Sequence, residues 1–337
     1  MQIAIHCNQF DGRGTGKVPY EYAVYLSEYL NSNILFVTSA QSSNEGLIRI
    51  KKKFPVITYD AKSVNMQSPI EQQNTKNILE RIVDDEKIDF FHFIKSGEND
   101  NITPSNCTTG IHCVFKMNEP HGNVYAGVSE YLSKKYNRNL YVPHIIQPIT
   151  PNCDYRQKYN IPKDALIVGR HGGTVQFNIP FVHDAIKLIL EHRPDIFFLF
   201  LSTEPFMTHE RVIFIPWVEN EQEVFNFINA CDVMLHGRED GETFGLSIAE
   251  FSASNKPVIT WSGMWKGQKH LRYDTCHIDL LEDRAIIYNN EQDLVDILFS
   301  IDKNFISNHN WDKYSIKFSP KNVIDQYKKI FLKNFYK

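Results

Sequence analysis

"ACDVMLHGREDGETFGLSIAEFSASNKPVIT", residues 230–260, reads as a strand, a loop, a helix and a second strand. Glu242 stands in the loop, and Glu250 follows eight positions later, about two turns into the helix. The residues Thr243, Phe244, Gly245 and Leu246 open that helix, so the amides of 244–246 are expected to be unpaired donors at its positive end. Such an end is an anion site, and glycine at 245 lets a bulky phosphate approach the backbone. A carboxylate at Glu250 can accept two hydrogen bonds from a vicinal diol such as a ribose. Glu242 would then lie near whatever is attached beyond the phosphate.

The same alternation runs through the whole chain. Strand-like runs "QIAIH", "NILFVT", "FPVITY", "DFFHFI", "TGIHCVF", "VYAGVS" and "YVPHII" are interleaved with helical stretches around 18–30, 71–86 and 129–137. A second series follows: "ALIVGRH", "IFFLFLS", "RVIFIPW", "DVMLHG", "PVITWS" and "AIIYN", with helices around 180–192, 220–230, 245–254 and 291–300. Alternating β and α implies parallel sheets with helices on both faces. A proline-rich stretch, "PHIIQPITPNCDYRQKYNIPKD", separates the two series. The expected architecture is therefore α/β: two Rossmann-like, doubly wound domains facing each other across a cleft. The first spans 1–148 and the second 149–319, with a C-terminal helix at about 320–337 free to pack back on the first. Ligands are expected outside the carboxyl ends of the strands.

Composition narrows the function. The 337 residues are 42% hydrophobic and 23% charged, and a net charge of -4 argues against a protein that coats nucleic acid. The longest apolar run, "IFFLFL" at 196–201, is too short to span a bilayer. The chain opens on a short strand without signal-peptide regions, and its six cysteines form no CxxC pair. A cytoplasmic location is expected. The basic run "RIKKKF" at 49–54 reads as a solvated edge, with peripheral contact to anionic lipid as the alternative. No HxH, HExxH or Asp-x-Asp spacing occurs, so no metal site is expected.

Near the N-terminus, "DGRGTGKVPYEYAVYLSEYL" at 11–30 resembles a phosphate loop only superficially. Gly12 and Gly16 are too close for a P-loop, Val18 stands where Ser or Thr would hold magnesium, and Lys17 occupies the third glycine of a dinucleotide fingerprint. What remains is a glycine-rich turn from strand to helix, able to meet an anion through backbone amides.

Taken together, these motifs resemble the retaining glycosyltransferases of family 4, which have the GT-B fold. Their signature is two glutamates separated by seven residues around an FGL helix start, here "ETFGLSIAEFSASNKPVI", with Phe251 for the usual Ala and Asn255 for the usual Gly. "IVGRHGG" is similar to the family's strand ending in Gly-Arg, and "RVIFIPWVENEQEVFNFINACDVML" to its F-x-G-x-V segment. In the first half, "GTGKVPYEYAVYL", "TGIHCVF" and "AGVSEYLSKKY" match the glycine loop, the strand ending at a pocket histidine, and the V-S-E helix start. The resemblance implies transfer of a sugar from a nucleotide-diphosphate donor, UDP- or GDP-linked, to a glycan or lipid-linked acceptor. It implies retained anomeric configuration, no further cofactor, and no protein nucleophile, the departing phosphate taking the acceptor's proton.

Residue by residue, the resemblance assigns the diphosphate to Arg170 with Gly172 and Gly173, the sugar to Glu242, and the ribose to Glu250. His112 is placed at the donor-sugar pocket, with a buried core histidine as the plain alternative. Gly14, Thr15 and Gly16 face the diphosphate and acceptor, and backbone near Pro216 and Trp217 meets the base. The chain also departs from the family. No Lys or Arg stands in "HGGTVQFNIPF" after Arg170, where a second diphosphate cation is usual. Arg238 either supplies that charge or pairs with Glu239 at the surface. His171 and His236 flank the proposed donor site, and His121 sits in a turn. A nicotinamide dehydrogenase is disfavoured by the failed glycine fingerprint. A nucleotide-sugar epimerase of the same fold and a non-catalytic nucleotide-sugar-binding protein remain as rivals.

Overall fold

Near-continuous apolar runs become the strands of two all-parallel sheets, as expected for strands covered on both faces. The computed structural model describes every residue except 8, 9, 11–13, 43–45, 63–66, 219, 266, 271, 272 and 337, and for Gly14, Thr15 and Trp265 the backbone alone. The chain divides into two units, Met1–Ile145 with Phe318–Lys337, and Ile146–Lys317. The division falls three residues before the expected 148/149 boundary, and the C-terminal residues belong with the first unit.

In chain order the first unit contains β1 (Gln2–His6), α1 (Gly14–Leu30), β2 (Asn33–Ser39), α2 (Leu47–Lys51), β3 (Val56–Tyr59), α3 (Pro69–Glu86), β4 (Phe90–Lys95), β5 (Thr108–Cys113), β6 (Val124–Gly127) and α4 (Glu130–Lys135). Its sheet runs β3-β2-β1-β4-β5-β6. Local chemistry sets the helix ends. Ser68 and Glu71 form a reciprocal capping box with Pro69 in the first turn of α3, and Ser129 caps α4 by accepting from Leu132 N.

The second unit contains α5 (Tyr155–Lys158), β7 (Leu166–His171), α6 (Pro180–His192), β8 (Ile196–Leu201), β9 (Val212–Ile215), α7 (Glu221–Ala230), β10 (Val233–His236), β11 (Gly241–Glu242), α8 (Leu246–Ala253) and β12 (Val258–Trp261). Next come β13 (Met264–Trp265), β14 (Gln268–Lys269), β15 (Asp274–Thr275), α9 (Cys276–Leu281), β16 (Ala285–Tyr288), α10 (Glu291–Ser300) and α11 (Lys303–Ser307). The main sheet runs β16-β12-β10-β7-β8-β9. Helix α6 buries Val182, Ala185, Ile186, Ile189 and Leu190, a stripe at helical spacing that joins the core with Phe198 and Leu235. The last helix, α12 (Pro320–Ile330), packs on α1 and buries Val323, Ile324 and Tyr327 in the first unit.

Two expectations change. "YVPHII" at 141–146 is buried but is not a strand: Tyr141 makes a single bridge to Gly127, and Pro143 has no amide with which to extend the ladder. Gly14, Thr15 and Gly16 are not a loop but the opening residues of α1, while residues 11–13 lie outside the described residues. The basic run continues from α2, with Lys51, Lys52 and Lys53 exposed and Arg49 stacked on the Tyr20 ring at 3.9 Å.

Candidate functional site

In the second sheet, β7 leads to β8 and β9 on one side while β10, β12 and β16 build the other, so the order reverses between β7 and β10. Ligands of open α/β sheets bind at such a point, outside the carboxyl ends of the strands. Arg170, His171 and His236 end these two strands, and Thr203 follows the end of neighbouring β8.

Arg170 is buried, 5% exposed, and its fork is already shaped. Nη1 donates to Thr203 Oγ1 at 2.5 Å and Nη2 to the Gly173 carbonyl at 2.8 Å. Among the described residues no carboxylate forms an ion pair with it. Burial pulls its pKa down to about 10, with Glu242 opposing the shift and Arg238 adding to it, so it stays cationic at neutral pH. Gly172 adopts φ +147°, a conformation that favours glycine, and a Cβ there would lie 3.1 Å from Arg170 Nη2 and 3.8 Å from Ser247 Oγ. The loop after β7 thus lies beside the start of α8.

That start is one residue later than expected. Gly245 is the N-cap, at φ 85°, and its carbonyl accepts from Ala249 N at 2.9 Å. The first-turn amides without an intrahelical partner are therefore those of 246–248, and of the expected 244–246 only Leu246 keeps that place. Phe244 instead anchors the turn, buried with its ring edge-on to Tyr314. Thr243 is buried beside it, whereas Leu246 is half-buried. A side chain at 245 would meet Glu242 Cβ and Cγ at 3.3 Å and His277 Cβ at 3.4 Å, so glycine allows Glu242 to lie against the helix start.

Glu242 is held by cations and imidazoles. Its Oε2 accepts from Arg238 Nη1 at 3.0 Å, and Oε1 lies 3.5 Å from His236 Nε2. Burial opposes its ionisation, but Arg238, His236 and His277 together hold its pKa to about 2. Behind it, Thr260 Oγ1 lies 3.0 Å from His236 Nδ1 and 2.9 Å from His277 Nε2. Tyr273 closes this row by donating to the Trp261 carbonyl. Both histidines are pushed below their ordinary value by burial and stay neutral.

Glu250 is buried on α8, with His171 Nε2 3.0 Å from its Oε2 and the His171 ring stacked on Phe251. Arg238 pairs with Glu242 and not with Glu239, which lies 3.4 Å from His270. Trp217 is 40% exposed in the segment after β9.

In the first unit the outcome for His112 differs from the pocket role. The ring is fully buried, with Nε2 donating to the Val142 carbonyl at 2.7 Å. It packs among Tyr22, His92, His144 and Phe331, the surroundings of a core histidine. His121 joins Lys95 at 3.1 Å and the Glu119 carbonyl at 2.7 Å. Side-chain surroundings of Gly14 and Thr15 lie outside the described residues. A cavity of about 450 Å³, lined by Arg138, Lys329 and Lys333 among others, opens near the amino end of β6 and shares no residue with the second unit's site. Among the described residues no His, Cys, Asp and Glu group is arranged to hold a metal, and no helix is long and apolar enough to cross a membrane.

Sequence reasoning missed Thr203, Thr260 and His277. Thr203 and Thr260 carried one usable signal, their place at or just beyond a strand's carboxyl end; His277 carried none.

No protein-family model matches the chain, and no curated protein matches it in sequence. Solved structures do match its fold. A glycosyltransferase from Rickettsia africae aligns with TM-score 0.74 at 13% identity, covering 99% of this chain and 98% of that one. Anabaena HepE, in complex with UDP and glucose, aligns with TM-score 0.74 at 12% identity and 98% coverage of both chains. A putative UDP-N-acetylglucosamine 2-epimerase from Listeria monocytogenes aligns at 0.63 and 12% identity, covering 98% of this chain and 97% of that one. The two six-stranded Rossmann-like units are thus those of the GT-B fold.

Proposed function

We propose that the protein is a glycosyltransferase that takes its sugar from a nucleotide-diphosphate donor. One observation carries this reading: Arg170, the Gly172–Gly173 loop and the first turn of α8 converge at the sheet's switch point, beside an ionised Glu242. Cleavage of the sugar–phosphate bond places negative charge on the leaving diphosphate and positive charge at the anomeric carbon. Arg170 and the amides of 246–248 stabilise the first, commonly the largest electrostatic contribution. Glu242 lies on the sugar side and favours the second. Glu250, steadied by His171, accepts from the ribose diol. Configuration is retained, the departing phosphate takes the acceptor's proton, and the acceptor is a glycan or lipid-linked glycan. No metal takes part, and the enzyme works in the cytoplasm.

Incubation with radiolabelled UDP- and GDP-sugars, with and without glycan acceptors, tests this reading. It expects sugar transfer, or slow donor hydrolysis, and NMR of the product's anomeric proton reads the stereochemistry. Absence of nucleotide release from every donor would refute it. A second reading, an epimerase acting on the donor itself, is favoured by the structural likeness to the Listeria protein. It is separated by the same NMR experiment, since an epimerase converts the nucleotide sugar without any acceptor.

A further inference from the structure

The stretch after Arg170 carries no Lys or Arg until Lys187, so a diphosphate bound there meets one cation from β7 and its loop. The opposite side of the switch point supplies another. Arg238 follows the end of β10, and its segment is fixed: the Gly237 carbonyl accepts from Asn178 N at 3.1 Å, and Asn178 Oδ1 accepts from Glu239 N at 3.0 Å. The Arg238 side chain is only 17% exposed, yet among the described residues its sole side-chain hydrogen bond goes to Glu242, and its buried Nε has no partner. A guanidinium has five N–H donors, and leaving buried ones unused is costly. Arg238 also lies near enough to Arg170 to help lower its pKa, so the two cations share one neighbourhood.

We propose that Arg238 is the second diphosphate cation of this site, held by Glu242 in the donor-free protein and turned to the phosphates when donor binds. The inference rests on the nucleotide-sugar reading above. Glu242 therefore has two partners in turn: Arg238 while the site is empty, and the sugar once Arg238 has moved to the phosphates. The exchange keeps both cations within reach of an anion at every stage.

Calorimetry with UDP, GDP and inorganic pyrophosphate, on wild type, Arg238→Gln, Arg238→Lys and Glu242→Gln, tests it. Arg238→Gln should weaken pyrophosphate and the binding nucleotide at least about tenfold, the scale of a lost charge-assisted hydrogen bond, while leaving the matching nucleoside unchanged. Arg238→Lys should recover part of that loss. Glu242→Gln removes the competing carboxylate and should tighten pyrophosphate several-fold in wild type but not in the Arg238→Gln background, a coupling that a merely structural arginine would not produce. Equal pyrophosphate affinity in wild type and Arg238→Gln would overturn the proposal, as would equal losses for diphosphate and nucleoside. If wild type binds pyrophosphate but neither UDP nor GDP, the nucleotide reading fails, and the pyrophosphate comparison still decides the role of Arg238.

Discussion

Lowering the pH from 7 to 5 should loosen the first unit through its buried histidines, of which His112 is one. Its ring has no exposed surface, Nε2 donates to the Val142 carbonyl, and Nδ1 has no hydrogen-bond partner among the described residues. Burial lowers its pKa from 6.5 to about 4, the Val142 carbonyl offsetting only part of the shift. The unfolded chain therefore takes up a proton near pH 6.5 that the folded chain refuses until about 4. The stabilisation is complete above 6.5 and is lost progressively as the pH falls toward 4. Between pH 7 and 5 the linkage amounts to about 2 kcal/mol for this one ring. His92 and His144 are shifted in the same direction by burial and add to the slope. His112→Gln keeps an N–H donor for Val142 but cannot titrate, so it should lose about 2 kcal/mol less than wild type over this range. Urea unfolding followed by circular dichroism at both pH values measures the difference. All four tryptophans, 217, 261, 265 and 311, lie in the second unit, so their fluorescence provides an internal control. Equal losses in wild type and His112→Gln would refute the buried neutral ring. Transfer at pH 7.5 should persist in folded His112→Gln; its loss with intact folding would return His112 to the donor site.

Replacing Arg170 by Ala should slow transfer by roughly two to three orders of magnitude, the scale for one preorganised donor, and Lys should restore little because it lacks the planar fork that spans Thr203 and Gly173. Near-normal turnover in Arg170→Ala would place the phosphate elsewhere. Glu250→Ala should weaken nucleotide binding by about 1.5 to 3 kcal/mol, whereas Glu242→Ala should mainly lower kcat; unchanged nucleotide affinity in Glu250→Ala would sink the ribose assignment. Transfer should survive EDTA, and complete loss rescued by manganese would contradict the proposal that no metal takes part. Gly245→Ala, forced to φ 85° with its methyl 3.3 Å from Glu242, should cost at least about 1 to 2 kcal/mol in thermal unfolding of the second unit.

Patterns set by near neighbours were legible in the sequence. The run "IFFLFL" is β8, the 182–190 spacing is the buried face of α6, and the segment around Glu242 and Gly245 does form a strand, a turn and a helix start. Alternation of such elements was enough to anticipate two parallel sheets, because each strand's apolarity and each helix's periodicity reflect local burial on known faces. Partnership between distant residues was not legible. "TGIHCVF" fits a pocket histidine and a core histidine equally, and only its hydrogen bond to Val142, thirty residues away, and the packing of Phe331, just beyond α12, place His112 in the core. "YVPHII" has a strand's composition, but burial by surrounding chain and a proline without an amide limit it to a single bridge. Arg170 meets Thr203 across 33 residues, and His236 meets Thr260 across 24, because parallel strands bring their carboxyl ends together only after the sheet has formed. Arg238 is the intermediate case: four residues from Glu242, it had the carboxylate within local reach, yet only the turn through Gly241 and the β11–β15 pairing aim Glu242 at it instead of leaving Glu239 as its partner.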